Sequence, residues 1–234
     1  MFLPTYGELV KNVEEQLDLQ GEVFIRPDEM LANFNEAVDD IEADIHTIYE
    51  DYFLVPELGI NIVSGQSDYA LPNDIYAQKI RKIFFNQGSD KYEIRYVREP
   101  NEVLYTQENE YYRYRLFNTT ENGVFIRLYP TPNFTDNVSI SIEYLRNMKR
   151  FTGDITQKCD IPEFSYVLSQ YAKWRCLEKE IHPNAPAAEQ RLEMMRKRMQ
   201  DTLTCRRVDD DNKITPDFQH YWDSNFSDWG GYYG

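Results

Sequence analysis

The apolar residues of this chain change their period twice. From Leu9 to Tyr52 they recur every three or four positions, from about Ile60 to Tyr144 they alternate, and from Phe164 to Leu203 helical spacing returns. A period near 3.6 lays apolar groups along one side of a helix, and a period of two lays them on one face of a strand. The order helix, strand, helix therefore predicts an α+β fold: a helical bundle built from both chain ends, with an antiparallel β sandwich or barrel inserted between them. Residues 1–56 and 151–204 supply the bundle, 57–150 the inserted domain, and 205–234 an extended tail. At 234 residues, 41% of them hydrophobic, the chain is long enough to bury a core in each part.

Local signals set the expected boundaries. Thr5 and Glu8 form a capping box ahead of Leu9, Val10, Val13 and Leu17. Pro27, Asp28 and Glu29 open a second helix, with Met30, Leu31, Phe34, Val38, Ile41, Ile45, Ile48 and Tyr52 on its apolar side. Residues 27–52 as one helix would span about 39 Å. In the middle, Ile60–Val63 and Asp68–Leu71 read as a hairpin across Ser64-Gly65-Gln66-Ser67, closed by Pro72. Lys79–Phe85 pairs with Lys91–Val97, Tyr112–Phe117 with Val124–Tyr129 across Gly123, and Val138–Tyr144 forms a last strand. A helical turn is expected near Pro100–Tyr105. After Pro162 helical spacing resumes, breaks at His182-Pro183-Asn184-Ala185-Pro186, and ends near Leu203.

Charge is segregated along the sequence. Residues 1–56 carry 14 acidic groups against Lys11 and Arg26, a net of -12 out of -15, whereas 57–150 and 151–204 are each balanced. On the second helix Glu36, Asp39, Asp40, Asp44, Glu50 and Asp51 fall along one side, largely off the apolar stripe. Binding DNA normally depends on cationic groups that displace phosphate counterions, so this acidic composition points away from nucleic-acid binding. Repeated around a pore, the same side would create an anionic wall.

No phosphate loop, zinc spacing or nucleophile elbow is present, and no metal or cofactor is expected. His46, His182 and His220 are scattered; His46 falls at the polar margin of its helix, which predicts a solvated or capping role. Glu36 with Asp40, or Asp40 with Asp44, would share a helix face and could imitate the two acids of a glycosidase. That leaves a peptidoglycan hydrolase using a carboxylate pair as the competing enzyme reading. Three widely spaced cysteines predict reduced thiols. The start lacks signal-peptide character and no segment could span a bilayer, so a soluble protein made in the cytoplasm, without membrane contact, is expected.

Beyond Cys205 aliphatic spacing stops while aromatic residues accumulate: Phe218, Tyr221, Trp222, Phe226, Trp229, Tyr232 and Tyr233. Such residues anchor interfaces, so this stretch is read as a docking tail.

The run Thr5-Tyr6-Gly7-Glu8-Leu9-Val10, the step Asn35-Glu36-Ala37 and the stretch Ser64-Gly65-Gln66-Ser67-Asp68-Tyr69-Ala70-Leu71-Pro72-Asn73-Asp74-Ile75 resemble the head-to-tail adaptor proteins of tailed bacteriophages. Tyr69, Leu71, Pro72 and Asp74 match the most recognisable part of that pattern, and their own chemistry is structural: Tyr69 and Leu71 share a strand face, Pro72 stops pairing, Asp74 can cap a turn. The resemblance implies a non-enzymatic virion protein of the neck, a ring of identical subunits, expected to be a dodecamer, mounted under the portal protein. Its helices would surround a channel through which genomic DNA passes without specific binding, with Glu36, Asp40 and Asp44 expected on the channel side and the tail grasping the portal or a neighbour. The sizeable β domain departs from the minimal, largely helical adaptors and is expected to meet nozzle, hub or fibre proteins.

Overall fold

The computed structural model describes residues 3–18, 25–88, 90–98, 112–119, 123–133 and 138–211. Helix α1 (Tyr6–Leu17) begins at the capping box: the Glu8 amide donates to Thr5 Oγ1 at 3.3 Å and the Thr5 amide to the Glu8 carboxylate at 2.8 Å. The backbone entering it is held by residues 155–159, with the Tyr6 amide donating to the Gln157 carbonyl at 2.8 Å and the Cys159 amide to that of Pro4 at 2.9 Å. Gly7 lies in this contact. A Cβ there would stand 3.0 Å from the Ile155 carbonyl oxygen, so a side chain would force the segments apart.

Helix α2 (Pro27–Ile48) starts at Pro27, where the Glu29 carboxylate accepts the Arg26 amide at 3.1 Å. It is shorter than the apolar spacing predicts. Tyr49 leaves helical geometry (φ −134°, ψ 84°), and Glu50–Phe53 forms a 3₁₀ turn that keeps Phe53 buried while aiming the chain into the first strand. Periodicity persisted because a 3₁₀ turn still returns side chains to one side every three residues. Helices α3 (Ser165–Lys179) and α4 (Ala185–Asp211) follow the β region. Leu9 and Val13 of α1, Phe34, Val38, Ile41 and Ile45 of α2, Val167, Leu168 and Ala172 of α3, and Leu192, Met199 and Leu203 of α4 share one core. Burying a side chain the size of Phe34, which is fully enclosed, contributes about 2 kcal/mol.

The end of α4 differs from the sequence reading. The helix continues past Cys205 to Asp211, because Arg206 donates to Glu163 Oε1 at 2.9 Å and through Nη2 to Oε2, while Tyr52 Oη donates to the same carboxylate at 2.5 Å. A polar anchor of this kind leaves no trace in apolar spacing.

The strands are β1 (Leu54–Ile62), β2 (Asp68–Ala70), β3 (Ile75–Gln87), β4 (Asp90–Glu93), β5 (Arg95–Tyr96), β6 (Arg113–Thr119), β7 (Gly123–Tyr129) and β8 (Val138–Arg146). Among the described residues they form two four-stranded sheets, β1-β8-β3-β4 and β2-β7-β6-β5, whose facing residues close a second core around Ile83, Phe85, Ile140, Ile142, Ile126 and Leu128. The β3–β4 and β6–β7 hairpins form as expected.

Two expectations are corrected. Strands β1 and β2 are not a hairpin: they lie in different sheets, pairing with β8 and β7. Ile62 and Tyr69 are both buried in the shared core, so the 63–67 loop arches from one sheet to the other instead of folding within one. The expected strand Lys91–Val97 also splits at the buried Ile94, and its second half, β5, pairs parallel to β6, so pairing is not antiparallel throughout. The turn expected at Pro100–Tyr105 lies outside the described residues, as does the tail with Phe218, Tyr221, Trp222, Phe226, Trp229, Tyr232 and Tyr233.

Candidate functional site

The acidic side of α2 meets arginines and lysines of its own chain. Arg175 of α3 holds Glu36 at 3.0 Å, Lys179 holds Glu29 at 2.6 Å, Arg150 holds Asp39 at 2.7 Å, and Arg196 of α4 lies 2.8 Å from Asp44 and 3.7 Å from Asp40. Acid segregated in sequence is thus mixed with base in space. The Lys179 hydrogen bond, with the Arg26 amide, holds the Glu29 carboxyl at about 2. Glu36 and Asp40 keep nearly half of their side-chain surface exposed and Asp44 a fifth. Sequence reasoning singled out the carboxylates and missed Arg175 and Arg196; the signal available was that the balanced C-terminal helices place Arg175 and Lys179 one turn apart.

Asn35, between these acids, has a different task. Its side chain accepts the Phe151 amide at 2.8 Å and donates to the Phe151 carbonyl at 3.0 Å, which fastens the segment after β8 to α2.

Where α2 meets the sandwich, ion pairs cross from the 3₁₀ turn to β3: Glu50 to Lys79 at 2.7 Å and Arg81 at 2.6 Å, and Asp51 to Arg81 at 2.7 Å. The hydrogen bond from Lys79 lowers the Glu50 carboxyl below its ordinary value. His46 is buried here, 6% exposed, which corrects its expected solvated position. Its ring stacks on Tyr76 with centroids 3.6 Å apart, and among the described residues neither nitrogen has a partner at full hydrogen-bond geometry. Ala77 and Gln78 adopt left-handed φ values of 46° and 58°, and this kink in β3, where its register with β8 shifts, follows Tyr76 directly. Burial, then the nearby Lys79 charge, lowers the His46 pKa. Glu42 lies 3.9 Å from His46 and accepts the Met148 amide at 2.6 Å; burial raises its carboxyl.

The stretch from Tyr69 to Asp74 shapes the sandwich. Tyr69 Oη accepts the Val63 amide at 3.0 Å and lies 3.0 and 2.8 Å from the Val63 and Gln66 carbonyls, to which it can donate, so one phenol pins the 63–67 arch. Tyr69 and Leu71 are both buried, and β2 ends at Ala70, before Pro72. Asp74 accepts from Tyr144 Oη at 3.2 Å, and its carbonyl accepts the Asn147 amide at 2.6 Å, so it ties the start of β3 to the end of β8 instead of capping an isolated turn.

An open cavity of about 360 Å³ beside α2 and α3 holds two carboxylates, Glu29 and Glu178, each bonded to a cation, Lys179 and Arg175. Among the described residues no group of three or more His, Cys, Asp or Glu is placed to hold a metal ion, and no helix is long and apolar enough to cross a membrane. Cys159 and Cys176 are buried free thiols, both pushed up to about 11 by burial, and Cys205 is an exposed free thiol.

Charged and polar side chains throughout this site fasten helix to helix and helix to sandwich, the chemistry of a structural scaffold. The chain belongs to the SU10 adaptor protein family, whose model matches residues 4–217. No curated protein matches it. Membership carries the structural role of a connector in the neck of a phage virion.

Proposed function

We propose that this chain is the subunit of a homo-oligomeric ring, a dodecamer, that docks under the portal protein, extends the DNA channel and offers a platform to nozzle, hub or fibre proteins. The family match over residues 4–217 carries this reading. The helices from both chain ends form the bundle of the ring, with Glu36, Asp40 and Asp44 on the channel side. Arg175 and Arg196 are already held by these carboxylates, and a guanidinium so engaged is a poor phosphate ligand, so a wall of paired charges also lets DNA pass without gripping it. Phe218, Tyr221, Trp222, Phe226, Trp229, Tyr232 and Tyr233 form the docking tail, and the protein acts without catalysis. The carboxylate-pair hydrolase gains nothing from the geometry, since Glu36 and Asp44 accept from Arg175 and Arg196, and Asp40 lies 3.7 Å from Arg196, where a catalytic pair would face substrate.

The test is depletion and repair. Particles assembled without this chain should be filled heads that lose DNA and carry no tail, and added purified chain should restore infectivity. Tailed, infectious particles formed in its absence would overturn the reading.

A further inference from the structure

We propose that the outer face of the sheet β2-β7-β6-β5 receives residues 217–234 of a neighbouring copy of this chain. The inference rests on the ring reading above and names the surface that would link its subunits.

Ile126 and Leu128 of β7 point into the sandwich core, so the alternating Phe125 and Arg127 lie on the opposite face. Their cross-strand partners share that face: Arg115 stands opposite Arg127, and Phe117 opposite Phe125. One strand further out, Arg95 stands opposite Arg113. Four arginines therefore gather on one sheet face of a chain whose net charge is -15. Two like-charged pairs directly opposite each other disfavour the sheet unless an anion lies between them. Among the described residues one carboxylate answers them, Asp68, which takes Arg127 through Nε at 2.6 Å and Nη2 at 2.7 Å. Beside the arginines, Phe117 and Phe125 stack at 5.6 Å, and the Arg127 guanidinium lies 5.0 Å from the Phe117 ring centre.

The surface asks for carboxylates interleaved with flat rings. Residues 217–234 have that composition: Asp217, Asp223 and Asp228 among Trp222, Phe226 and Trp229, with no lysine or arginine. Carboxylates accept forked hydrogen bonds from guanidinium, while indoles stack on guanidinium planes and phenyl rings. Helix α4 ends at Asp211, and Arg206 fixes its last turns to Glu163 and thereby to Tyr52, just before β1. Residues 212–234 extended would cover about 75 Å. A segment at one end of a chain and its complement on another surface form a head-to-tail contact, which closes into a ring when the rotation fits.

The test uses the full chain. Rings assembled from an equal mixture of isotopically heavy and light chains, with a photo-crosslinking residue in place of Ser224, are irradiated with and without portal and mapped by mass spectrometry. Crosslinks between heavy and light chains should fall within residues 113–129. The pair Arg113→Ser and Arg115→Ser should lower their yield about tenfold with circular dichroism unchanged, and about 1 M salt should lower the wild-type yield. Crosslinks within one chain, to the helices or to portal, or a yield indifferent to the arginines, would overturn the inference while leaving the ring standing. Failure to form rings, seen in the particle mass before irradiation, would remove both.

Discussion

Arg196 of α4 holds Asp44 of α2 through two nitrogens, Nε at 3.0 Å and Nη2 at 2.8 Å from the same carboxylate oxygen. The residues are 152 positions apart, so the acid-rich start of the chain meets this counter-charge only when the last helix folds against it. Asp44→Arg and Arg196→Asp should each lower stability by about 1–2 kcal/mol, because each leaves a partly enclosed charge beside its like. Combining the two restores an ion pair in reverse and should recover about 1 kcal/mol of the summed loss, read from denaturant midpoints in a double-mutant cycle. Strict additivity would show that the pair is incidental.

The buried His46 gives the fold an acid sensitivity. Its pKa is lowered by burial, so the unfolded chain takes up a proton near the ordinary value of about 6.5 while the folded chain does not. Stability should then fall as pH drops through about 6.5 and level off below the folded value. Glu42 on α2, Glu50 on the 3₁₀ turn, Lys79 on β3 and Arg146 on β8 surround the ring electrostatically. Glu42, raised by burial, acts in the opposite sense, its stabilisation being lost as pH rises through its folded value. The difference between wild type and His46→Phe isolates the histidine, and thermal midpoints from about pH 7.5 to 5.5 should fall more steeply in the wild type. Parallel curves would contradict this assignment.

Tyr69→Phe removes the hydroxyl that pins the 63–67 arch while keeping the ring in the core. The Val63 amide loses its phenol acceptor, so the variant should be less stable by about 1–2 kcal/mol with an unchanged denaturant slope. A variant as stable as wild type would mean that water replaces the phenol.

Removal of residues 212–234 should leave a folded chain that no longer completes particles. Trp222→Ala with Trp229→Ala should reproduce much of that defect, each costing at least about 2 kcal/mol per subunit if it is a hot spot, multiplied around a ring by avidity. A cut after Leu203 should also cost stability, since it deletes Arg206 and its ion pair with Glu163. Circular dichroism separates the two cuts, and infectivity with DNA retention reads the docking. Stable, infectious particles built from the shorter chain would require the docking assignment to be withdrawn.

Elements whose partners are near in sequence could be read from it. The Thr5 capping box, the Pro27 start, the β3–β4 and β6–β7 hairpins and the end of β2 before Pro72 each depend on a few adjacent residues. What escaped depends on distant partners. The arch from β1 to β2 looks like a hairpin until β7 and β8 are seen to claim the two strands separately. The end of α4 rests on Arg206 reaching Glu163, and His46 is buried because Tyr76 arrives from β3 to cover it. For the candidate site, the row Glu36, Asp40 and Asp44 was visible as a helix face, whereas its pairing with Arg175 and Arg196 required knowing which helices lie against α2.

The most direct test of the ring account is electron microscopy of the purified full chain with and without its portal protein. The account predicts closed rings coaxial with the portal, one subunit beneath each portal subunit, with the bundle carrying Glu36, Asp40 and Asp44 lining a continuous channel. Monomers alone in both samples, with the portal undecorated, would contradict it.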